Sequence, residues 1–313
     1  MVYSTMKFLA YNVCLLPPYE AFLSGEPLTH RRTRYTALNR YLKPLLMNAD
    51  VVVFCEMFRY TFPGDQPVER IKDGLEGLGY HVVDTDLRDG SAVNSGVVVA
   101  SRLPIVSSDY HRFEASIGDE LLSAKRFYEV VLRTADNALV LLYGTHMQAH
   151  LGVENARVRA AQLRQIKTAM DVGTVRHRPT ATLILGDLNI DGPLSADDVD
   201  DYDEYVNLMA TFPGFTDTAL RSGGELATWD PTTNSVIRSK HQYQPPDDTA
   251  ELTRKERLDY LLVAPSTLAV NAATRVVRPR FKGEDGIRDL SDHYGLLGDV
   301  VLPAPTEQQD IIV

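Results

Sequence analysis

Thr182-Leu183-Ile184-Leu185-Gly186-Asp187-Leu188-Asn189-Ile190-Asp191 is the stretch around which the rest of the chain falls into place. Thr182 to Leu185 are apolar or β-favouring and predict a buried strand. Gly186 permits a tight exit, so Asp187 and Asn189 stand where that strand ends. Their alternate spacing puts both side chains on one side of an extended segment. A carboxylate and an amide so placed can share a metal-bound water or a phosphate oxygen, although Gly-Asp-x-Asn equally fits a strand closed by an Asx turn. Four other fragments of matching chemistry favour a site: Tyr11-Asn12, Cys55-Glu56, Thr145-His146 and Ser291-Asp292-His293.

At 313 residues with 44% hydrophobic, 8% aromatic and 24% charged residues, the chain can bury a sizeable core. Its net charge of −10, with no basic run beyond His30-Arg31-Arg32-Thr33-Arg34, argues against a protein that lives on long nucleic acid. Cys14 and Cys55 are too few for a disulfide framework and read as free thiols of a reducing compartment. No apolar run approaches the ~18 residues of a spanning helix. The first residues predict a strand rather than a signal peptide, so the expected setting is cytoplasmic, with secretion as the alternative should a leader have been removed.

Further strands are expected at Lys7–Tyr11, Asp50–Glu56, Tyr80–Asp84, Ser95–Ala100, Phe127–Leu132 and Leu139–Thr145. Tyr260–Val263, Ala272–Val277 and Leu296–Val301 complete the set. Helical spacing runs through Arg34–Met47, with Pro44 marking a kink or early stop, and from Pro67 to about Gly79. Glu154–Met170 is the clearest helix, with Ala156, Ala160, Leu163, Ile166 and Met170 on one stripe. Ser107–Lys125 reads as a polar connection, and Asp230–Arg257 as a long polar loop. The acidic run Asp197–Glu204 lacks the spaced Gly and closing Glu of an EF-hand and reads as a solvated face. Strands and helices intermix without strict βαβ alternation. That pattern predicts an α/β (α+β) fold in one domain over residues 1–302, two mixed sheets packed face to face with helices outside. Residues 303–313 read as a C-terminal tail.

Each candidate stands at or beside a strand end: Asn12, Glu56, His146 with Gln148, Asp187 with Asn189, Asp259, and Asp292 with His293. Loops at one end of a sheet sandwich converge, so these residues can share a cleft. Carboxylates and amide oxygens are hard ligands that suit Mg²⁺ or Mn²⁺; the clustered His and Cys of a zinc site are absent.

Asn12, Phe54-Cys55-Glu56, Gly144-Thr145-His146, Gly186-Asp187-Leu188-Asn189, Arg257-Leu258-Asp259-Tyr260 and Ser291-Asp292-His293 resemble, in order, the motifs of the endonuclease/exonuclease/phosphatase superfamily. The likeness runs from residue 7 to about 301. It implies a DNase I-like four-layer sandwich and Mg²⁺-dependent phosphoester hydrolysis.

Several stretches look like the neutral and bacterial sphingomyelinase branch: Asn12-Val-Cys-Leu-Leu-Pro17, Asn94–Ile105, Ala124-Lys125-Arg126-Phe127-Tyr128, Thr145-His146-Met147-Gln148-Ala149 with Arg159 and Gln162, and Thr228-Trp229-Asp230-Pro231-Thr232-Thr233-Asn234. Cys55 departs from the usual Gln, and Arg126 from the usual Gly. No exposed aromatic hairpin, of the kind bacterial members use on membranes, is evident.

The resemblance implies Glu56 as principal Mg²⁺ ligand (Mn²⁺ as the alternative), assisted by Asn12, with Asp187, Asn189 and Asp292 as further candidate ligands. His293, polarised by Asp259 or Asp292, would be the general base. Asn189 and His146 would bind phosphate oxygens, and either Asp187 or His146 would be the general acid. The implied substrate is a sphingomyelin-type phospholipid, met by a monomer in peripheral contact with a membrane. A nuclease is the alternative, and a non-catalytic scaffold is disfavoured because every acid, amide and His keeps its motif position.

Overall fold

The computed structural model describes residues 3–17, 28–61, 67–84, 92–195, 202–243, 245–265, 273–283 and 286–303. The expected tail after Pro303 and the acidic run up to Asp201 lie outside them. The first half contains β1 (Tyr3–Leu15), α1 (Leu28–Tyr41), α2 (Lys43–Leu46), β2 (Val51–Met57), α3 (Pro67–Gly77), β3 (His81–Asp84), β4 (Val98–Ser101), β5 (Ile105–Arg112), β6 (Arg126–Arg133) and β7 (Leu139–His146). The second contains α4 (Val153–His177), β8 (Ala181–Asp187), α5 (Asp203–Thr211), β9 (Thr216–Asp217), α6 (Ser235–Tyr243), β10 (Asp259–Val263), β11 (Ala273–Val277), β12 (Arg280–Gly283), β13 (Gly286–Asp289) and β14 (Gly295–Pro303).

Two six-stranded mixed sheets result, ordered β11-β14-β1-β2-β4-β3 and β5-β6-β7-β8-β10-β9. β1 pairs parallel to β2, and β7 parallel to β8; the other pairings are antiparallel.

Strand alternation sorts the apolar residues into layers. Phe8, Ala10, Val51, Val53, Cys55, Val140, Leu142, Leu183, Leu185 and Leu261 meet between the sheets. Their neighbours Leu9, Tyr11, Val52 and Phe54 face outward against Leu38 of α1 and Ile71 and Leu75 of α3. Leu141, Tyr143, Ile184 and Leu262 do the same against Leu163, Ile166 and Met170 of α4 and Leu208 of α5. Both faces of each sheet are therefore buried. That is why β2 and β8 are continuous apolar runs rather than alternating ones. The helix–sheet–sheet–helix sandwich expected from the sequence is the fold observed.

Three differences have physical reasons. The expected connection Ser107–Lys125 begins inside β5, an edge strand whose Ser107, Ser108 and Asp109 are exposed, so it carries no apolar signal. The expected loop Asp230–Arg257 contains α6, amphipathic but short, with only Val236 and Ile237 buried. α4 continues to His177 beyond the expected Met170, because Val172 and Val175 are exposed and interrupt the apolar stripe. Pro44 does divide α1 from α2. β12 and β13 form a hairpin that the sequence reading did not contain; Phe281 turns inward and Ile287 outward.

Candidate active site

The inward row of several central strands ends in a polar residue. Phe8 and Ala10 lead to Asn12, Val140 and Leu142 to His146, and Leu183 and Leu185 to Asp187, while Leu261 and Val263 follow Asp259. Register sets these beside one another: His146 pairs with Asp187 across β7–β8, and Asp259 with Asp187 across β10–β8. The site is thus the polar end of the inter-sheet core. Buried carboxylates cost several kcal/mol each unless compensated, so their partners matter.

Gly186 sets the exit of β8. Its φ of +143° lies outside the range of ordinary side chains, and a Cβ there would overlap the Thr145 carbonyl oxygen. Asp187 follows, its Oδ1 accepting from Asn189 N at 2.9 Å, so the Asx turn and the site are one structure. Glu56 and Asn189 take φ of +54° and +51°, strained values for non-glycine residues. The turn at Glu56 lets its carboxylate reach Asn12 although Cys55 holds the inward position.

Asn12 lies within β1 rather than after it. Its Nδ2 donates to Glu56 Oε1 at 2.9 Å and to Asp187 Oδ2 at 3.0 Å, joining the two sheets. Its Oδ1 accepts from Cys14 N at 3.0 Å. To offer oxygen to a cation the amide would have to flip and release that bond.

His293 Nδ1 is 2.9 Å from Asp259 Oδ2, so of the two carboxylates considered for this role Asp259 is the one in contact. Nε2 then faces Asp187 Oδ2 at 3.8 Å. Burial disfavours the imidazolium, but Asp259 and Asp187 outweigh it and lift the pKa to about 10. Asp292 points elsewhere: Lys240 Nζ on α6 holds it at 2.8 Å, and it stays ionised well below the usual carboxylate range despite its burial.

His146 Nε2 lies 3.7 Å from Asp187 Oδ2 and 3.0 Å from Lys125 Nζ, which also binds the Met147 carbonyl and Glu120. Burial, then Lys125 and His293, hold His146 neutral, with its Nδ1 buried and unbonded. Asn189 Nδ2 donates to Met147 O at 3.1 Å. Gln148 turns away, to Asn155 on α4, and is structural.

The supporting residues were mostly unassigned in the sequence. Arg257, fully buried, pairs with Asp217 at 2.8 Å and lies over Tyr260, fixing the start of β10 just before Asp259. Thr228 Oγ1 accepts from Leu258 N and Asp259 N. Ser291 Oγ donates to Asn12 O at 2.7 Å, and Asn234 donates to the Ser291 and Asp292 carbonyls. Thr228 and Asn234 bracket the quoted Trp229-Asp230-Pro231 loop, so that resemblance was their signal. Lys240 had none, lying in a helix hidden within polar sequence.

A divalent cation fits this donor set. Burial and then Asp292 push Glu56 up to about 7, and burial and then Asp259 push Asp187 to about 6. Asp259 Oδ1 is buried without a partner. Cleft carboxylates so short of positive charge are what a cation relieves. Asp187, Asp259 and His293 bring ligand atoms within 4.8 Å of one another, but His293 Nδ1 is already committed to Asp259. The oxygen grouping of Glu56 and Asp187 around Asn12 leaves that bond intact and suits a hard cation better.

Residues 9–293 match the pattern of the endonuclease/exonuclease/phosphatase family. Sphingomyelinase C of Listeria ivanovii is 26% identical over 279 residues, covering 81% of this chain and 76% of that protein. A sphingomyelinase C of Bacillus cereus is 30% identical over 283 residues, covering 83% and 75%. The crystal structure of a mutant beta toxin from Staphylococcus aureus with bound magnesium ions superposes with a TM-score of 0.71 at 20% identity, covering 94% of this chain and 99% of that one. The chain belongs to the endonuclease/exonuclease/phosphatase family, in its sphingomyelinase branch.

Proposed function

We propose that this chain is a Mg²⁺-dependent phosphodiesterase (Mn²⁺ serving as substitute) that hydrolyses sphingomyelin-type lipids to phosphocholine and ceramide. The observation that carries the reading is the Asn12 bridge between Glu56 and Asp187, with the Asp259–His293 pair beside it, in a chain related to sphingomyelinases.

In this reading Glu56 and Asp187, with Asn12 between them, would hold the cation, which when bound supplies positive charge to these carboxylates and to the phosphate oxygens. With a cation opposing the charge of Asp187, His293 would shed the proton that Asp259 and Asp187 hold on it in the metal-free fold. Steered by Asp259 through Nδ1, it could then receive the proton of the attacking water at Nε2. Asn189 keeps a second amide N–H for a non-bridging phosphate oxygen. His146 orders the same region. Its Nε2 accepts from Lys125, and the departing ceramide oxygen takes its proton from solvent water on this side of the cleft. Water adds to phosphorus, the bond to that oxygen breaks, and the oxygen leaves protonated.

We take residues 1–302 as the catalytic unit, acting as a monomer at a membrane surface. Both cysteines are buried and free, which suits a cytoplasmic setting. No helix among the described residues is long and apolar enough to cross a membrane. The net charge of −10 disfavours the nuclease alternative. The test is a panel of sphingomyelin vesicles, oligonucleotide and inositol phosphates, with Mg²⁺ and with EDTA. Phosphocholine release that needs Mg²⁺ is expected; cleavage of the oligonucleotide alone would replace this reading with the nuclease.

A further inference from the structure

Thirteen large apolar side chains are exposed among the described residues, and six of them stand on segments at the catalytic end of the sandwich. Leu121 and Leu122 close the 3₁₀ turn Gly118–Leu121, which leads into β6. Leu151 and Val153 lie where β7 passes into α4, just after His146. Tyr243 ends α6, and Leu252 ends the 3₁₀ turn Thr249–Leu252 that precedes β10 and Asp259. All but Leu252 are more than half exposed.

The first two segments are joined. Ile117 N donates to Gln148 Oε1 at 3.2 Å, Gln148 Nε2 donates back to Ile117 O at 3.3 Å, and His150 Nε2 lies 3.4 Å from Asp119 Oδ1. Lys125 ties them to the reaction centre through His146. His150 in turn shares a cavity with Pro245, Pro246, Glu251 and Asp292, so the segment that carries Tyr243 and Leu252 forms the facing rim. Single exposed leucines are ordinary, but six such side chains around the mouth of a cleft mark an interaction surface.

Charge selects the partner. Among the described residues of 117–126, 147–157 and 239–256, each lysine and arginine but the fully buried Arg126 is matched by an acid. Lys125 meets Glu120, Arg157 meets Glu154, Lys240 meets Asp292, Arg254 meets Glu256, and Lys255 meets Glu225 and Asp230. Asp247, Asp248 and Glu251 have no ion pair among the described residues. The rim is therefore apolar with a surplus of negative charge, which repels anionic lipid and leaves no cation free to hold it. A protein interface has a closed apolar centre, whereas this ring surrounds an opening. Its partner has to deliver a molecule through the ring, as a bilayer does.

We infer that this rim is a docking surface for bilayers of zwitterionic lipid, in which Leu121, Leu122, Leu151, Val153, Tyr243 and Leu252 enter the headgroup layer and hold the cleft mouth against it. It rests on the proposed phosphodiesterase reading, and it makes these side chains determinants of interfacial activity with no part in bond breaking.

The full-length protein in EDTA is sedimented with sucrose-loaded vesicles of phosphatidylcholine and sphingomyelin, with and without phosphatidylserine. Binding to the zwitterionic vesicles that survives high salt and weakens with phosphatidylserine is expected. Leu121→Ser/Leu122→Ser and Leu151→Ser/Val153→Ser should each weaken it about tenfold, the loss of roughly one buried apolar side chain. All four positions are exposed, so both variants should fold. With Mg²⁺, both should hydrolyse vesicular sphingomyelin more slowly in the same proportion, yet match the parent on soluble p-nitrophenylphosphorylcholine. Absence of binding by the parent, parental binding by both variants, or a preference for phosphatidylserine overturns the docking surface. Dimers in sedimentation velocity that both double variants dissolve, with no vesicle binding, would assign the rim to a second copy and also overturn it. A parent that binds vesicles through the rim but cleaves neither substrate defeats the phosphodiesterase reading and leaves the surface standing.

Discussion

Asn12 Nδ2 donates to Asp187 Oδ2 at 3.0 Å, from the end of one sheet to the end of the other, between residues 175 positions apart. The same amide nitrogen also holds Glu56, so two cleft carboxylates share one neutral donor. Replacing Asn12 by Asp removes both bonds and adds a third negative charge. Hydrogen bonds to charged groups are worth about 1.5–3 kcal/mol each, so metal-free Asn12→Asp should lose roughly 3–6 kcal/mol in urea unfolding. Added Mg²⁺ should restore part of that loss, because the extra carboxylate is then opposed by positive charge. A variant equally stable with and without Mg²⁺, and no weaker than the parent, would contradict the bridging role.

Glu56 couples catalysis to stability in opposite directions. Its folded pKa, about 7, exceeds the ordinary value of 4.5, so the folded state binds this proton more tightly. The stability it contributes is complete at low pH and disappears as pH rises from about 4.5 through 7. Glu56→Gln should abolish the Mg²⁺-dependent activity yet raise metal-free stability at pH 8 by about 1–3 kcal/mol, modest because the side chain is partly exposed. For the parent protein, stabilisation by Mg²⁺ should be greater at pH 8 than at pH 5. Thermal melts at both pH values, with Mg²⁺ and with EDTA, measure all three quantities.

Gly186→Ala tests the strand exit that aims Asp187. The substituent meets the Thr145 carbonyl oxygen of the neighbouring strand, which cannot yield without breaking the β7–β8 pairing. The clash adds to a φ of +143° that costs a side chain roughly 1–3 kcal/mol. Loss of at least ~3 kcal/mol, or failure to accumulate folded protein, is expected. Near-parental stability and activity would show that the loop absorbs the change.

The sheets were legible because their strands are buried on both faces and so appear as uninterrupted apolar runs. Val51 to Cys55 and Thr182 to Leu185 needed no tertiary information. β5 was not legible because an exposed edge strand has no reason to be apolar, and α6 was not because two buried residues make too weak a stripe. At the site, the acids, amides and histidines were each foreseen, since each stands at or near the end of such a run. Their pairings were not. That His293 turns to Asp259 while Asp292 turns to Lys240 depends on β10 and α6, 34 and 52 residues distant in sequence.

The last prediction concerns that pairing. Asp259 fixes His293 through Nδ1, so loss of the carboxylate should cost orientation as well as charge. General-base assistance is typically worth ~10²–10⁴-fold, so His293→Ala should lower kcat by at least ~10²-fold with little change in KM. Asp259→Asn should also impair kcat, because an amide donor in place of the carboxylate can favour the other tautomer. A stability signature separates the pair from a merely local packing role. His293 titrates at about 10 in the metal-free fold and at 6.5 ordinarily, so its contribution is complete below about 6.5 and is lost as pH rises through 10. Metal-free parent protein should therefore weaken steadily from pH 6.5 to 10. In Asp259→Asn this slope should flatten, since the carboxylate in hydrogen-bond contact with the ring is gone. An Asp259→Asn protein with the parental slope and kcat would show that Asp187 alone governs His293. A His293→Ala enzyme that kept more than about a tenth of kcat would move the water-activating role to Asp187.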